Sequence, residues 1–256
     1  MGAAGLVARD FADDEPMAIA SNRNRRTLKR RSKRDPTSVF GNNRGVPVPD
    51  KWDQDFLDVG GLRFELNTVD GHEDGSWLII LDKNKRRHKR LGITTSIAMV
   101  VDIVFPGWSA FYSLAQTTDV ASYYESLDEI YEYDFDVLVG GHVTRLGTKE
   151  DVQVKIDFYA DVLAGSEAGL AAVSVADIAT GIEVFDPTAA NAGNVWLLFN
   201  EVFEAMVDVC VEYVLDAPAR GRDWTAELAA VDVMLRSQVC VRPSSAQRGS
   251  VAVKGR

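Results

Sequence analysis

Cysteine and histidine are both scarce in this chain, with two of the first and three of the second among 256 residues. Cys210 and Cys240 lie in apolar settings with no CxxC spacing, which excludes a disulfide frame or a zinc knuckle and marks both as reduced core thiols. The histidines, His72, His88 and His142, are far apart in sequence, so any site they share must be assembled by the fold. Long apolar runs are also missing. The longest, "IAMVVDIVF" at 97–105, is under half of the ~20 residues a bilayer span needs and carries Asp102 inside it. No basic segment followed by a long apolar stretch opens the chain, so no signal peptide and no membrane partner are expected, and the cytoplasm is the expected compartment.

Basic residues are absent from most of the sequence. The net charge is −10, yet 8 + 6 = 14 of the 28 Lys and Arg fall in "RNRRTLKRRSKR" (23–34) and "KNKRRHKR" (83–90). Such runs can be nucleic-acid patches, but no aromatic residue interleaves them to stack on bases. A solvated helix face or exposed loop is the simpler expectation, and nucleic acid is the least favoured partner.

What is present is an α/β pattern. Residues 2–11 read as a helix, 17–21 as a short strand and 23–34 as a basic helix, followed by a Pro-, Gly- and Asn-rich loop over 35–50. From Asp55 the period becomes two, giving a hairpin, "DFLDV" and "LRFELNTV", turned at Gly60-Gly61. Apolar strands are expected at 76–82, 97–105 and 135–141. The basic connection at 83–96 looks inserted; a retained non-coding segment and a genuine loop are both open readings. Helical spacing follows at 119–131, 149–164, 166–180 and 194–215, with Asp119 suited to a helix N-terminus and Thr148/Asp151 resembling a capping box. The tail at 242–256 is polar and expected to be disordered.

Three segments share one layout, in which a strand runs out, the chain turns at glycine or proline, and a potential metal ligand stands at or near the turn. They are "NTVDGHEDGSW" with His72, "MVVDIVFPGW" with Asp102 and "LVGGHVTRLG" with His142. A carboxylate inside so apolar a run needs a partner, because burying it alone costs several kcal/mol or forces protonation. A divalent metal is one such partner and Arg145 is the rival. Two histidines and a carboxylate suit Zn²⁺ or Fe²⁺.

The order "GHEDGS … VVDIVFPGW … VGGHVTRLGTKEDV" resembles the second half of the metallo-β-lactamase-fold hydrolases. The resemblance implies an incomplete αββα sandwich with a helical C-terminal extension: a partial domain at 1–164, with 83–96 as a candidate insertion, the extension at 165–241, and the tail. It implies metal-ligand roles for His72, Asp102 and His142, with Arg145 as a supporting or ion-pairing residue. Zinc is the implied ion, with iron or manganese as alternatives. The implied chemistry is attack of metal-bound hydroxide on an ester, lactone, amide or thioester of a small-molecule substrate.

The family's HxHxDH cluster, which supplies the other ligands, does not occur in this sequence. Because 2–11 resembles the helix that follows that cluster, a chain cut just after it is the expectation. Counting ligands then leaves two half-sites, each with one histidine and a share of Asp102, which could also collapse into one site. Hydrolysis is accordingly expected to be impaired and no catalytic residue is assigned. An inactive fold member serving as a binding module is the alternative. Uncovered strand edges would favour self-association.

Overall fold

A computed structural model of the chain describes residues 53–72, 75–117, 119–216 and 221–239, together with the backbone of the strand segments 6–9, 16–20 and 50–51. It is mixed α/β, as expected, and divides into two compact units, Met1–Pro106 with Thr117–Val152, and Gly107–Gln116 with Gln153–Arg256. The basic run at 23–34 and the tail at 242–256 lie outside the described residues.

The first unit holds two sheets. One contains β1 (Leu6–Arg9), β2 (Pro16–Ala20) and β3 (Asp50–Lys51), with β1 antiparallel and β3 parallel to β2. The helix expected over 2–11 is therefore corrected at 6–9, where Leu6, Val7 and Ala8 pair with Ile19, Ala18 and Met17. A ten-residue segment with glycines at 2 and 5 is a poor isolated helix, and strand pairing overrides it. With that helix goes one support for a chain cut just after HxHxDH.

The other sheet has the order β4 (Phe56–Val59), β5 (Leu62–Val69), β6 (Ser76–Leu81), β7 (Ile97–Met99) and β8 (Val137–Val139). β4 and β5 form the expected hairpin, with Gly60 at φ +55° and Gly61 at φ +85°. Positive φ at both central residues is what a two-residue turn matching strand twist requires. β7 and β8 are parallel. Such a pair needs a crossover; here the connection contains α3 (Val120–Glu132), whose N-cap Asp119 accepts the Ala121 and Ser122 N–H groups.

Only three residues of the apolar run 97–105 pair as strand. Val100, Ile103, Val104 and Phe105 are fully buried in a non-sheet loop. An unbroken apolar run without alternation reports burial and cannot by itself specify extension. Asp102 thus stands in a turn past the end of β7, not within a strand.

The basic connection between β6 and β7 contains α1 (Arg86–Arg90), a helix whose one buried residue is His88. The His88 Nε2 accepts the Arg63 N–H at 2.9 Å, and Nδ1 lies 2.6 Å from the Asp82 carbonyl. A backbone N–H can only donate, so Nδ1 carries the proton and the ring is a neutral bolt between β5 and β6. The surrounding cations face outward, and three are matched: Lys83 with Asp136 at 2.6 Å, Lys85 with Glu65 at 2.5 Å and Arg87 with Asp58 at 3.2 Å. His88→Ala should destabilise the chain by about 2 kcal/mol, because a part-buried N–H and a carbonyl lose their partner. Urea unfolding followed by circular dichroism measures this.

Asp136 also accepts the Ser96 N–H at 2.7 Å, and with Lys83 this holds its carboxyl below the usual 3.8. Because the folded value is the lower one, the contribution is complete above the unfolded value and disappears as pH falls through the folded one. The stability gap between wild type and Asp136→Asn should therefore be flat from neutral pH to about 5 and close below about 4. The pair is exposed, so the gap itself is small. Chemical unfolding at a series of pH values reads it.

The second unit is helical. It includes α2 (Tyr112–Gln116), most of α4 (Lys149–Ala172), α5 (Val175–Gly181), α6 (Val195–Leu215), α7 (Trp224–Glu227) and α8 (Val231–Val239). Two helices expected at 149–164 and 166–180 are in fact one long helix that runs through Gly165, followed by a short one capped by Ser174. Gly165 is not a terminator. A Cβ there would stand 3.0 Å from the Cys210 carbonyl, and one at Gly169 only 2.5 Å from that of Met206, so both glycines let α4 approach α6 closely. Cys210 is a free, buried thiol, pushed up in pKa by burial. Cys240 lies outside the described residues. Among the described residues no single helix is long and apolar enough to cross a membrane.

Candidate metal centre

His72, Asp102 and His142 are brought together in the first unit, each from a turn at a strand end. His72 follows β5. Its neighbour Gly71 packs on α3 so tightly that a Cβ would lie 2.7 Å from the Ser126 Oγ and 3.3 Å from the Tyr123 Cα. The Gly71 carbonyl accepts the Thr117 hydroxyl, which fixes the turn from its other side. Any side chain at 71 would push the imidazole away from the site.

Asp102 is almost fully buried and adopts φ +66°. Left-handed backbone costs an ordinary residue about 1–2 kcal/mol, with Asp among the more tolerant types. The turn is clamped by the buried Tyr123 hydroxyl, which donates to the Ile103 carbonyl at 2.6 Å. Tyr123 is legible in the sequence as an apolar-face residue of the helix. Nothing there reveals that its hydroxyl bolts the Asp102 turn.

His142 lies in the loop 140–146 that follows β8, closed by reciprocal 2.8 Å backbone bonds between Leu138 and Gly147. It too is left-handed, at φ +62°, and its ring stacks near Phe105, with centroids 6.4 Å apart and planes at 28°. The preceding glycines lie on the Asp102 turn. A Cβ at Gly140 would fall 2.4 Å from the Val104 carbonyl, and one at Gly141 2.9 Å from the Asp102 Oδ1. The Gly-Gly-His sequence is thus a steric requirement: two residues without side chains let a histidine loop touch a buried carboxylate.

The contacts themselves are asymmetric. His72 Nε2 is 3.3 Å from Asp102 Oδ2, and His142 Nε2 is 2.7 Å from Asp102 Oδ1. Among the described residues Oδ1 nevertheless has no hydrogen-bond donor, so the shorter contact has the distance of an ion pair without the alignment of a hydrogen bond. The buried His72 Nδ1 also lacks a hydrogen-bond partner among the described residues. His142 is the open side of the group, its side chain 58% exposed against 12% for His72. A buried carboxylate needs positive charge beside it, and here either an imidazolium or a cation between ring and carboxylate would supply it.

Arg145 does not serve Asp102. It pairs with Asp151 at 2.9 Å, and the Asp151 Oδ2 accepts the Thr148 N–H at 2.8 Å, which is the capping-box half expected at the start of α4. His88, as described, is committed to the β5–β6 bolt.

Donor chemistry fits a divalent metal, but donor number and arrangement do not. The two imidazoles address opposite oxygens of one carboxylate, and among the described residues no group of three or more His, Cys, Asp or Glu is arranged to hold a metal ion. Each half offers one nitrogen and one oxygen, short of the three or four protein ligands of ordinary zinc sites. Collapse into a single three-ligand centre is therefore not the observed geometry. Glu73 and Asp74, which follow His72 in sequence, lie outside the described residues.

No family model matches the sequence, and no curated protein matches it. Among solved structures, the chain is similar to a metallo-β-lactamase family protein from Thermus thermophilus, at 19% identity over 77% of this chain and 58% of that one, with a TM-score of 0.37. It is also similar to a B3 metallo-β-lactamase with an active-site glutamic acid, at 17% identity over 57% of this chain and 62% of that one, with a TM-score of 0.30. The chain thus spans less than two thirds of the length of either.

Proposed function

We propose that the chain is a metallo-β-lactamase-fold protein in which His72, Asp102 and His142 form a partial divalent-cation site, and that this polypeptide hydrolyses esters, lactones, amides or thioesters slowly or not at all. One observation carries the reading: two imidazole Nε2 atoms from separate turns stand against the two oxygens of one buried carboxylate. Close glycine packing at 71, 140 and 141 holds that arrangement, and the order of the three motifs supports the family. Zinc is the expected ion, with iron or manganese as alternatives. Asp102 would hold the ion together with His72 on the buried side of the carboxylate or His142 on its open side.

The shortage of donors favours a second reading, an inactive fold member that acts by binding. Hydrolysis of a panel of ester, lactone, β-lactam and thioester substrates, with added zinc, manganese or ferrous iron, tests the proposal. The expected result is no rate above that of Asp102→Asn under the same conditions. A metal-dependent rate abolished by Asp102→Asn would show that the site is complete enough to turn over.

A further inference from the structure

In the second unit, the corner where the loop after α5 meets the start of α6 exposes aromatic surface that no packing need explains. Trp196 is 80% exposed, Phe185 76% and Phe199 61%. The corner is well built from inside. Val184 and Leu198 are buried together with Ala179, the Val184 carbonyl accepts the Gly193 N–H at 2.8 Å, and Asn194 caps α6 through the Leu197 N–H at 3.1 Å. Phe185 therefore follows a core residue outward, and Trp196 and Phe199 share the outer side of a capped helix, 6.1 Å apart and edge to face.

Charge around this corner has one sign. From 156 to 219 the sequence has eleven Asp and Glu and no Lys, Arg or His. Glu183 and Asp186 flank Phe185, and Glu201 follows Phe199 by two positions. The described arginines of this unit are engaged elsewhere, Arg222 with Asp157 and Glu227, and Arg236 with Glu204 and Asp208.

We infer that this corner is a docking surface for an arginine-rich segment of a partner protein. Exposed Trp and Phe faces attract guanidinium groups, and Arg is the cation that stacks on them best. Carboxylates beside those faces add charge attraction and orientation. The same charges argue against other occupants. Nucleic acid and anionic lipid are repelled, and a symmetric dimer through this corner would bring the same acidic surface against itself. An exposed aromatic pair at a rigid helix start is also the kind of anchor on which interface energy concentrates.

The test titrates the full chain with a synthetic arginine-leucine peptide, using its citrulline counterpart as the neutral control and sedimentation to follow self-association. The expected result is saturable, salt-sensitive binding that weakens by about tenfold or more in Trp196→Ala/Phe199→Ala and with the citrulline peptide. Both side chains are exposed, so the variant should fold, and an unchanged melting temperature verifies this. A Glu183→Gln/Glu201→Gln variant leaves the aromatics in place and should bind several-fold more weakly, about as expected for rim charges. The inference is overturned if the peptide does not bind wild type, if citrulline binds equally well, or if Trp196→Ala/Phe199→Ala abolishes a concentration-dependent dimer instead.

Discussion

Asp102→Asn should weaken zinc binding by the full chain by about tenfold to a hundredfold, the range seen when the surroundings of a metal ligand are lost. The substitution is nearly isosteric and Asn tolerates left-handed backbone, so the turn at φ +66° should persist. What disappears is the negative charge shared between His72 and His142. A buried charge is itself a burden, so the variant should be no less stable than wild type, and a small rise in melting temperature is compatible with the account. That combination, lost affinity without lost stability, separates a binding role for Asp102 from a structural one. Equal zinc affinity in both proteins would place the cation elsewhere.

Gly140→Ala should have the largest effect on stability of any glycine-to-alanine change among the described residues of the first unit. Its Cβ would lie 2.4 Å from the Val104 carbonyl and 2.9 Å from the Pro106 Cδ, and the first of these is backbone that cannot rotate away. Overpacking of this kind costs about 1–3 kcal/mol, or roughly 2–12 °C in melting temperature for a chain of this size. The loop can relieve the clash only by lifting His142 from Asp102, so zinc affinity should fall together with stability. Gly60→Ala is the informative contrast. Nothing lies within 4 Å of its Cβ, and its penalty comes from φ +55° alone, about 1 kcal/mol, with zinc affinity unchanged. Thermal melts of the two variants, with zinc titrations on the same preparations, distinguish steric clash at the site from backbone strain at a distant turn.

The sequence made the local devices legible where chemistry forces them. A Gly-Gly pair between alternating segments reads as a tight hairpin turn, and Asp119 announces a helix start because an acidic side chain there suits the exposed N–H groups. The convergence of His72, Asp102 and His142 was legible from a repeated layout of strand, turn and ligand. Partners were not. A divalent metal and Arg145 were rival partners for Asp102 by charge, and only the fold sends Arg145 to Asp151. The apolar run at 97–105 hid its turn because burial in a loop and burial in a sheet require the same residue types. Gly165 misled for a related reason: a glycine that ends a helix and one that admits a neighbouring helix look alike until the neighbour is known. At 6–9 a weak helical tendency yielded to pairing with β2, an interaction between segments that local propensity does not contain.

A competitive-chelator titration of the full chain with zinc, with His72→Ala and His142→Ala alongside, reads both the affinity and the stoichiometry of cation binding at these residues. Two half-sites around one carboxylate predict weak binding, with a Kd of about a micromolar or higher, that is diminished by either substitution. Binding of one or more equivalents at about nanomolar Kd, or weak binding indifferent to both histidines, would contradict it.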